Sequence, residues 1–345
     1  MKNRFSVLAA LLTLPAAVLA LSFAGCAAKA AAAVNSSREN PPLEIPRFDG
    51  VSDETAAAGA PKVYFSANIS PAGLMAAYEA LGKEARGKVA VKISTGEPGN
   101  THYLAPDLIK GLVQRVNGTI VECNTAYGGR RASTALHYQV AKDHGFTAVA
   151  PVVILDENGD IQLPVSGGKH LKEDYVGARF GEYDFHIVLS HFKGHSMGGF
   201  GGALKNMSIG YGSSRGKAWI HSGGKSLTRP WGGRQNDFLE SMAEAAKAVS
   251  DAAAGNILYI NVMNHLSVDC DCDGNPAAPT MTDIGILASL DPVALDQACV
   301  DLVYAAPDSA DLVERIESRN GLLTIDHAAA IGLGSKAYQL VALNG

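Results

Sequence analysis

Three histidines and several cations crowd into one glycine-rich stretch, Ser190 to Gly224, which reads SHFKGHSMGGFGGALKNMSIGYGSSRGKAWIHSGG. It holds His191, Lys193, His195, Lys205, Arg215, Lys217 and His221. A neutral imidazole ligates soft or borderline metals and exchanges protons near neutral pH. A lysine supplies a cation or, with a depressed pKa, a nucleophile. Glycine lets backbone approach a ligand, and consecutive N–H groups can form an anion-binding nest. On that chemistry His191, His195 and His221 are candidate groups for exchanging protons or ligating a metal, and a neutral imidazole at His221 could be a ligand. Lys205, Lys193, Asn206, Gly198, Gly199, Gly201 and Gly202 are the candidates for holding a cofactor or an anion. The glycines do not form a G-x-G-x-x-G opening a helix, and no G-K-[ST] follows, so no nucleotide is inferred.

A second stretch, VDCDCDGN, sets Cys270 and Cys272 among Asp269, Asp271 and Asp273. Two thiolates flanked by carboxylates can bind a thiophilic metal, which makes Cys270, Cys272 and Asp271 candidate ligands. An acidic turn with a calcium-like oxygen site, or cysteines oxidised outside the cytoplasm, fits the same letters. No standard zinc spacing links the histidines. A third stretch carries Asn124, Tyr127, Arg130 and Arg131. Arginine at a strand tip can clamp a carboxylate, so Arg130 is a candidate cofactor contact; capping a helix or pairing with a protein carboxylate suits it equally. Cys299 lies on an apolar helical stripe and reads as core, and Cys123 closes a strand.

These residues need elements to position them. KVYFSANI, KVAVKIS, TIVECN, AVAPVVIL, FHIVLSHF, NILYINVM and DIGILAS are short, β-branched and bounded by turn residues. Several are apolar throughout, as strands covered on both faces are. Between them run helices: one opening at Pro106 and stopping by Gly118, one from Ser133 to near Gly145, one capped by Asn236 and ending at Gly255, and one opening at Asp291-Pro292. The alternation predicts an α/β fold with a mainly parallel sheet flanked by helices, in one large domain or two lobes. Ligands of such sheets bind beyond the carboxyl ends of strands. FHIVLS and NILYINVM both run straight into candidate residues, so the two loops, 190–224 and 269–275, are expected on one rim. GKAWI before His221 reads as a short strand returning to the same place.

The chain has 345 residues, 47% hydrophobic and 18% charged, an ordinary globular composition. Its net charge of −5 argues against a nucleic-acid partner. The N-terminus has a basic MKNR, a long apolar run and AGC before Cys26. This predicts a signal peptide over 1–25, lipidation of Cys26, a flexible tether over 26–60 and a single functional domain over 61–345. The location expected is the cell envelope, periplasmic or held to a membrane by the lipid anchor alone. An uncleaved membrane helix is the rival reading of the apolar run.

SHFKGH..GGFGGALKN, GNT.YLAPDLI, NTAYGGRR, DCDCDG and DIGILASLDPVALDQACVDLV closely resemble the family of uncharacterised Fe–S centre proteins known as domain of unknown function 362. The resemblance covers nearly all of 61–345. Many members of that family carry a ferredoxin-like insertion with two four-cysteine runs. Here His221 leads through SGGKSLTRPWGGRQND directly into a helix, and no C-x2-C-x2-C run exists. A more distant resemblance is to the N-terminal domain of nickel-pincer lactate racemases, with a similar His, a G-x-x-G-G-x-x-K-like loop and a second His. It implies Lys205 as the cofactor attachment site, His221 as a nickel ligand and His195 as the base. The racemases' Asp-x-Thr-Arg-Pro element has no counterpart here.

The reading that results is an exported protein with a metal or cofactor site, acting as a metal-dependent enzyme on a small anionic substrate. Nickel, iron and zinc are the candidate metals, and an Fe–S cluster is the cofactor implied by the family resemblance. A non-enzymatic metal-binding lipoprotein and an Fe–S electron carrier are the alternatives.

Overall fold

The structure is a computed structural model that describes residues 59–343. The expected signal peptide, Cys26 and nearly all of the expected tether lie outside the described residues. In chain order the elements are β1 (Lys62–Ser66), α1 (Pro71–Ala80), β2 (Val89–Lys92), α2 (Pro106–Arg115), β3 (Thr119–Glu122), α3 (Thr134–Asp143) and β4 (Val152–Ile154). Then come β5 (Asp160–Pro164), β6 (Glu173–Gly177), β7 (Phe185–His191), β8 (Lys193–His195), β9 (Gly199–Gly201), α4 (Ala203–Ser208), α5 (Ser214–His221) and α6 (Gln235–Ala253). The last are β10 (Ile257–Met263), β11 (Gly285–Ser289), α7 (Pro292–Ala305), α8 (Ala310–Ser318), α9 (Leu323–Ala330) and β12 (Gln339–Ala342).

The main sheet has eight strands in the order β12-β1-β11-β10-β7-β2-β3-β4. Only β11 runs against its neighbours; the other pairings are parallel. All seven apolar runs singled out in the sequence lie in this sheet. The central strands β7 and β10 are buried along their whole length, as strands covered on both faces must be. Their side chains alternate between two packed layers. Ile187, Leu189, Leu258, Ile260 and Val262 join α1 and α2 on one face, while Val188, Tyr259 and Met263 join α4, α6 and α7 on the other. No helix among the described residues is long and apolar enough to cross a membrane.

Two local expectations fail. GKAWI belongs to helix α5, because Ser213 caps it, accepting from the Gly216 N–H, and the turn buries Ala218, Ile220 and His221. Asn236 is not the cap of α6 but lies inside its first turn, after Arg234 in the cap position. The stripe predicted for that helix, Phe238, Met242, Ala245 and Val249, is buried.

Parallel pairing of β7 with β10 places His191 opposite Val262, so both strands end on one rim. On that rim β2 ends with Lys92 and β3 with Glu122.

Candidate functional site at the carboxyl rim of the sheet

The rim is built from the loops after β2, β3, β7 and β10. The glycine run after β7 is not an open nest. Residues 193–195 and 199–201 pair as a hairpin, β8 with β9, so Gly199 and Gly201 lie in its ladder. The Gly198 N–H donates to His195 Nδ1 at 2.8 Å. The expectation that Gly198 and Gly199 offer free N–H groups to an anion is therefore corrected, whereas Gly201 and Gly202 line a cavity. Gly202 opens α4, and a Cβ there would come within 2.3 Å of an Asp296 oxygen. The missing side chain lets Asp296 accept from the Ala203 and Leu204 N–H groups at 2.8 and 2.9 Å. Burial pushes the Asp296 carboxyl up to about 6, against the N–H groups and Asn261, which favour the charged form. This buried carboxylate from α7 fixes the first turn of α4 and, three residues on, Lys205.

The loop after β10 meets the hairpin directly, with the Gly194 N–H donating to Ser267 O at 2.8 Å. The two stretches that looked chemically active in the sequence thus share one site. The ligand atoms of His195, Cys270 and Cys272 lie within 4.8 Å of one another. Lys205 Nζ is 3.7 Å from Cys270 Sγ. Both cysteines are free thiols. The Cys272 thiol beside Cys270 holds the Cys270 thiol well below its ordinary range; burial opposes this, and Lys205 and Lys193 add to it. Cys272 is pushed up by the same contact. The contact thus drives the two thiol pKa values apart, with Cys270 the more acidic of the pair.

Two histidines line the cavity that the sulfurs share, with opposite ring settings. His195 Nδ1 accepts from backbone N–H, so a neutral His195 carries its hydrogen on Nε2. Burial, with Lys205 nearby, lowers its pKa and so favours the neutral ring. His221 Nδ1 donates to Lys217 O at 2.6 Å, which leaves Nε2 as a lone-pair donor. Its ring stacks on Phe238 at 4.7 Å, and burial pulls its pKa down to about 3. His195, His221, Tyr127, Cys270 and Cys272 line one cavity of about 250 Å³. Lys205, Lys193, Lys217, Lys92 and Arg131 line a second, narrower one of about 50 Å³, which shares Tyr127, Cys270 and Cys272 with the first.

Several candidates prove to be closed by partners. His191 donates to Asp271 Oδ1 at 2.7 Å and faces Asn264 O at 2.6 Å, so neither ring nitrogen is free for acid/base work. Lys193 holds Asp271 Oδ2 at 2.9 Å and His191 O at 2.8 Å. Asp271 is buried, which would raise its pKa, but Lys193 and His191 hold it well below the usual carboxylate range. With both oxygens taken, Asp271 is no metal ligand in this arrangement. The Asn206 amide donates to Lys92 O, Leu189 O and Ser190 Oγ and accepts from Lys92, so it is spent on the scaffold. Arg130 is exposed; its neighbour Arg131 is the buried one, paired with Glu97 at 3.0 Å and Glu122 at 3.3 Å.

The residues missed in the sequence are Lys92 and Glu122. Lys92 Nζ donates to Glu122 Oε2 at 2.7 Å and Ile93 O at 2.6 Å. Burial would raise the Glu122 pKa, yet Lys92 and Arg131 bring it down to about 2. The available signal was a charge closing each of two apolar strands, VAVK and TIVE. The other two described cysteines lie apart from the site's sulfurs in their bonding: Cys123 donates to Tyr211 O, and Cys299 accepts from Asn261. Among the described residues, no group of converging ligands holds more than two thiols.

A family model described as a domain of unknown function (DUF362) matches residues 89–301. No curated protein matches the chain. Among solved structures, the lactate racemase apoprotein from Thermoanaerobacterium thermosaccharolyticum is similar over 58% of this chain and 50% of its own, at 16% identity and a TM-score of 0.37. A protein from Thermotoga maritima is similar over 75% of this chain and 58% of its own, at 11% identity and a TM-score of 0.38. The chain thus spans little more than half the length of these structures.

Proposed function

The chain belongs to the DUF362 family, and from that premise and its own side chains we propose that it binds a thiophilic metal or metal-containing cofactor and acts on a small anionic substrate. The observation that carries the reading is the convergence of Cys270, Cys272 and His195 beside Lys205, with His221 lining the same cavity, at the junction of two cavities. The donor set fits a soft or borderline metal such as zinc, nickel or iron: two adjacent free thiols, one of them made more acidic, and an imidazole with a free lone pair. Proximity alone favours His195 as the third ligand. The direction of its backbone hydrogen bond argues instead for His221, because a neutral His195 already carries hydrogen on Nε2. Cys270, Cys272 and His221 would hold the metal, and His195 Nε2–H would face Cys270 as a proton donor. A metal there would supply Lewis-acid chemistry to a ligand in the cavity. Lys205 would receive the anionic end, since among the described residues its ammonium has a single sulfur as hydrogen-bond partner, and it lines the narrow cavity.

Metal analysis of full-length protein purified without oxygen tests this. We expect near-stoichiometric metal in the wild type and in H195A, and at least about tenfold less in C270S, C272S and H221A, because loss even of an outer partner weakens metal sites by about 10–100-fold. A metal-free wild type, or full metal in the cysteine variants, overturns the reading. A result with H195A depleted and H221A loaded would reverse the two histidines.

The proposed setting is the cell envelope, with Cys26 lipidated. C26S should lose acyl labelling and leave the membrane fraction. Retained membrane attachment without labelling in the wild type would point to an uncleaved helix.

A further inference from the structure

Trp231 is more exposed than any other large apolar side chain among the described residues, at 61%. Single exposed apolar residues are common and need no explanation. This one stands at the mouth of the cavity lined by His195, His221 and Cys270. Its ring is 5.9 Å from that of Tyr127, which in turn meets His221 edge-on at 5.9 Å. Trp231, Tyr127, His221 and Phe238 thus form a graded aromatic wall from solvent to core.

The loop that carries Trp231 is fastened on both sides. Lys225 and Arg234 both hold Asp237, at 2.8 and 2.9 Å. A Cβ on Gly233 would come within 2.6 Å of His221 O, so the backbone two residues after the tryptophan rests directly on the His221 turn. Gln235 then donates to Met197 O at 2.6 Å and Arg319 O at 2.8 Å. A loop so anchored had every opportunity to fold an indole inward. It presents it beside the site instead. The other tryptophan, Trp219, is packed, with its Nε1 on Glu173 O.

We propose that Trp231 and Tyr127 form a stacking subsite that takes the flat aromatic portion of a carboxylate-bearing ligand whose anionic end reaches toward Lys205. The subsite rests on the preceding reading only for that anionic end. The two cavities share Tyr127, Cys270 and Cys272, so one molecule can span them. A planar ring offers the indole face-to-face or edge contacts that a saturated ring of similar size does not. The class of ligand is therefore an aromatic or heteroaromatic acid rather than an aliphatic one.

The test uses the full-length chain and three probes: benzoate, cyclohexanecarboxylate and acetate, with affinities read by ligand-observed NMR. We expect the wild type to bind benzoate about three- to tenfold more tightly than cyclohexanecarboxylate, the range that aromatic pairing supports. That preference should fall to about one in W231A and persist in W231F. Benzoate should quench wild-type tryptophan fluorescence and fail to do so in W231F, where only Trp219 emits; this second readout stands even if W231A does not fold. A wild type without the benzoate preference, a preference unchanged in W231A, or quenching retained in W231F each overturns the stacking subsite. Acetate binding that K205A leaves unchanged instead overturns the anionic end and the function proposed above, while leaving the aromatic preference to be judged by the tryptophan variants.

Discussion

Two groups of charge lie side by side on the sheet rim, and they differ in whether their partners are complete. In the inner group Lys92 has three acceptors, and both oxygens of Glu122 are taken by Lys92, Arg131 and Thr95. The His191–Asp271–Lys193 group beside it is closed in the same way. In the outer group the Lys205 ammonium meets one sulfur, and His221 Nε2 has no hydrogen-bond partner among the described residues. Taking a charge out of water is costly unless its bonding is completed. The closed groups thus read as scaffold, and the open one as the part that waits for a ligand. The difference sorts residues that look alike in sequence: five lysines and arginines line the same narrow cavity, yet only Lys205 lacks a carboxylate or carbonyl partner.

The strongest test of the closed group removes its centre. E122A leaves Lys92 and Arg131 buried beside one another without their shared counter-charge. Breaking a buried pair from one side costs about 3–5 kcal/mol. The expected result is a fall of that order in the unfolding free energy from urea titration. A loss below about 1 kcal/mol would show that the cluster is solvated and that the division between the two groups is misplaced.

Acid should strike the scaffold next. His137 and His186 are buried, and burial lowers their pKa to about 3 and about 4. His186 gives its Nδ1 to the Tyr211 hydroxyl and its ring face to Phe180, and His137 meets Thr95 Oγ1. Both bind protons more readily in the unfolded chain, where the ordinary value is about 6.5. Their contribution is therefore present above that value and is lost as pH falls from about 6.5 to about 4 for His186 and to about 3 for His137. Linkage puts the loss at roughly 1–3 kcal/mol for each histidine. Unfolding midpoints measured at pH 7 and pH 4.5 should drop together in the wild type, and H186F should flatten part of the dependence. A midpoint independent of pH over that window would remove this account of the two histidines.

The same contrast explains what the sequence shows and what it hides. The apolar strands and the helices opening at Pro106 and Asp291 are legible because each carries its own period and its own punctuation. That the Cys270–Cys272 loop meets the glycine loop is legible too, since parallel strands with similar apolar runs deliver their loops to one rim. The pairing state of a charge is not local. Lys92 finds Glu122 thirty residues away and Asn206 more than a hundred away, so nothing near VAVK says that its lysine is closed. His191 looked as reactive as His195 because Asp271, which occupies it, comes from another loop. GKAWI failed for a different reason: five residues hold too little of either period, and the deciding signal was the Ser213 cap outside them.

Lys205 should show the smallest effect on stability and so draws the comparison most sharply. It is half-buried, and among the described residues its ammonium completes no carboxylate and no carbonyl; its one hydrogen-bond partner there is Cys270 Sγ. Replacing it with methionine keeps most of the stem that packs under the hairpin while removing the charge. K205M should therefore shift the unfolding free energy by only about 0.5 kcal/mol, the usual range away from complete networks. Binding of small carboxylates should weaken about ten- to hundredfold, since a hydrogen bond to a charged group contributes about 1.5–3 kcal/mol. The matched variant K92M removes a lysine from the same cavity wall but from the closed group, leaving Arg131 as the one cation paired with Glu122 among the described residues. It should lose several kcal/mol of stability, of the order that breaking a buried pair costs. Two lysines in one cavity, one changing stability and the other changing binding, is the pattern that follows from complete and incomplete partners. Equal stability losses in K205M and K92M would mean that Lys205 is scaffold as well, and that the site lacks the free cation assigned to it.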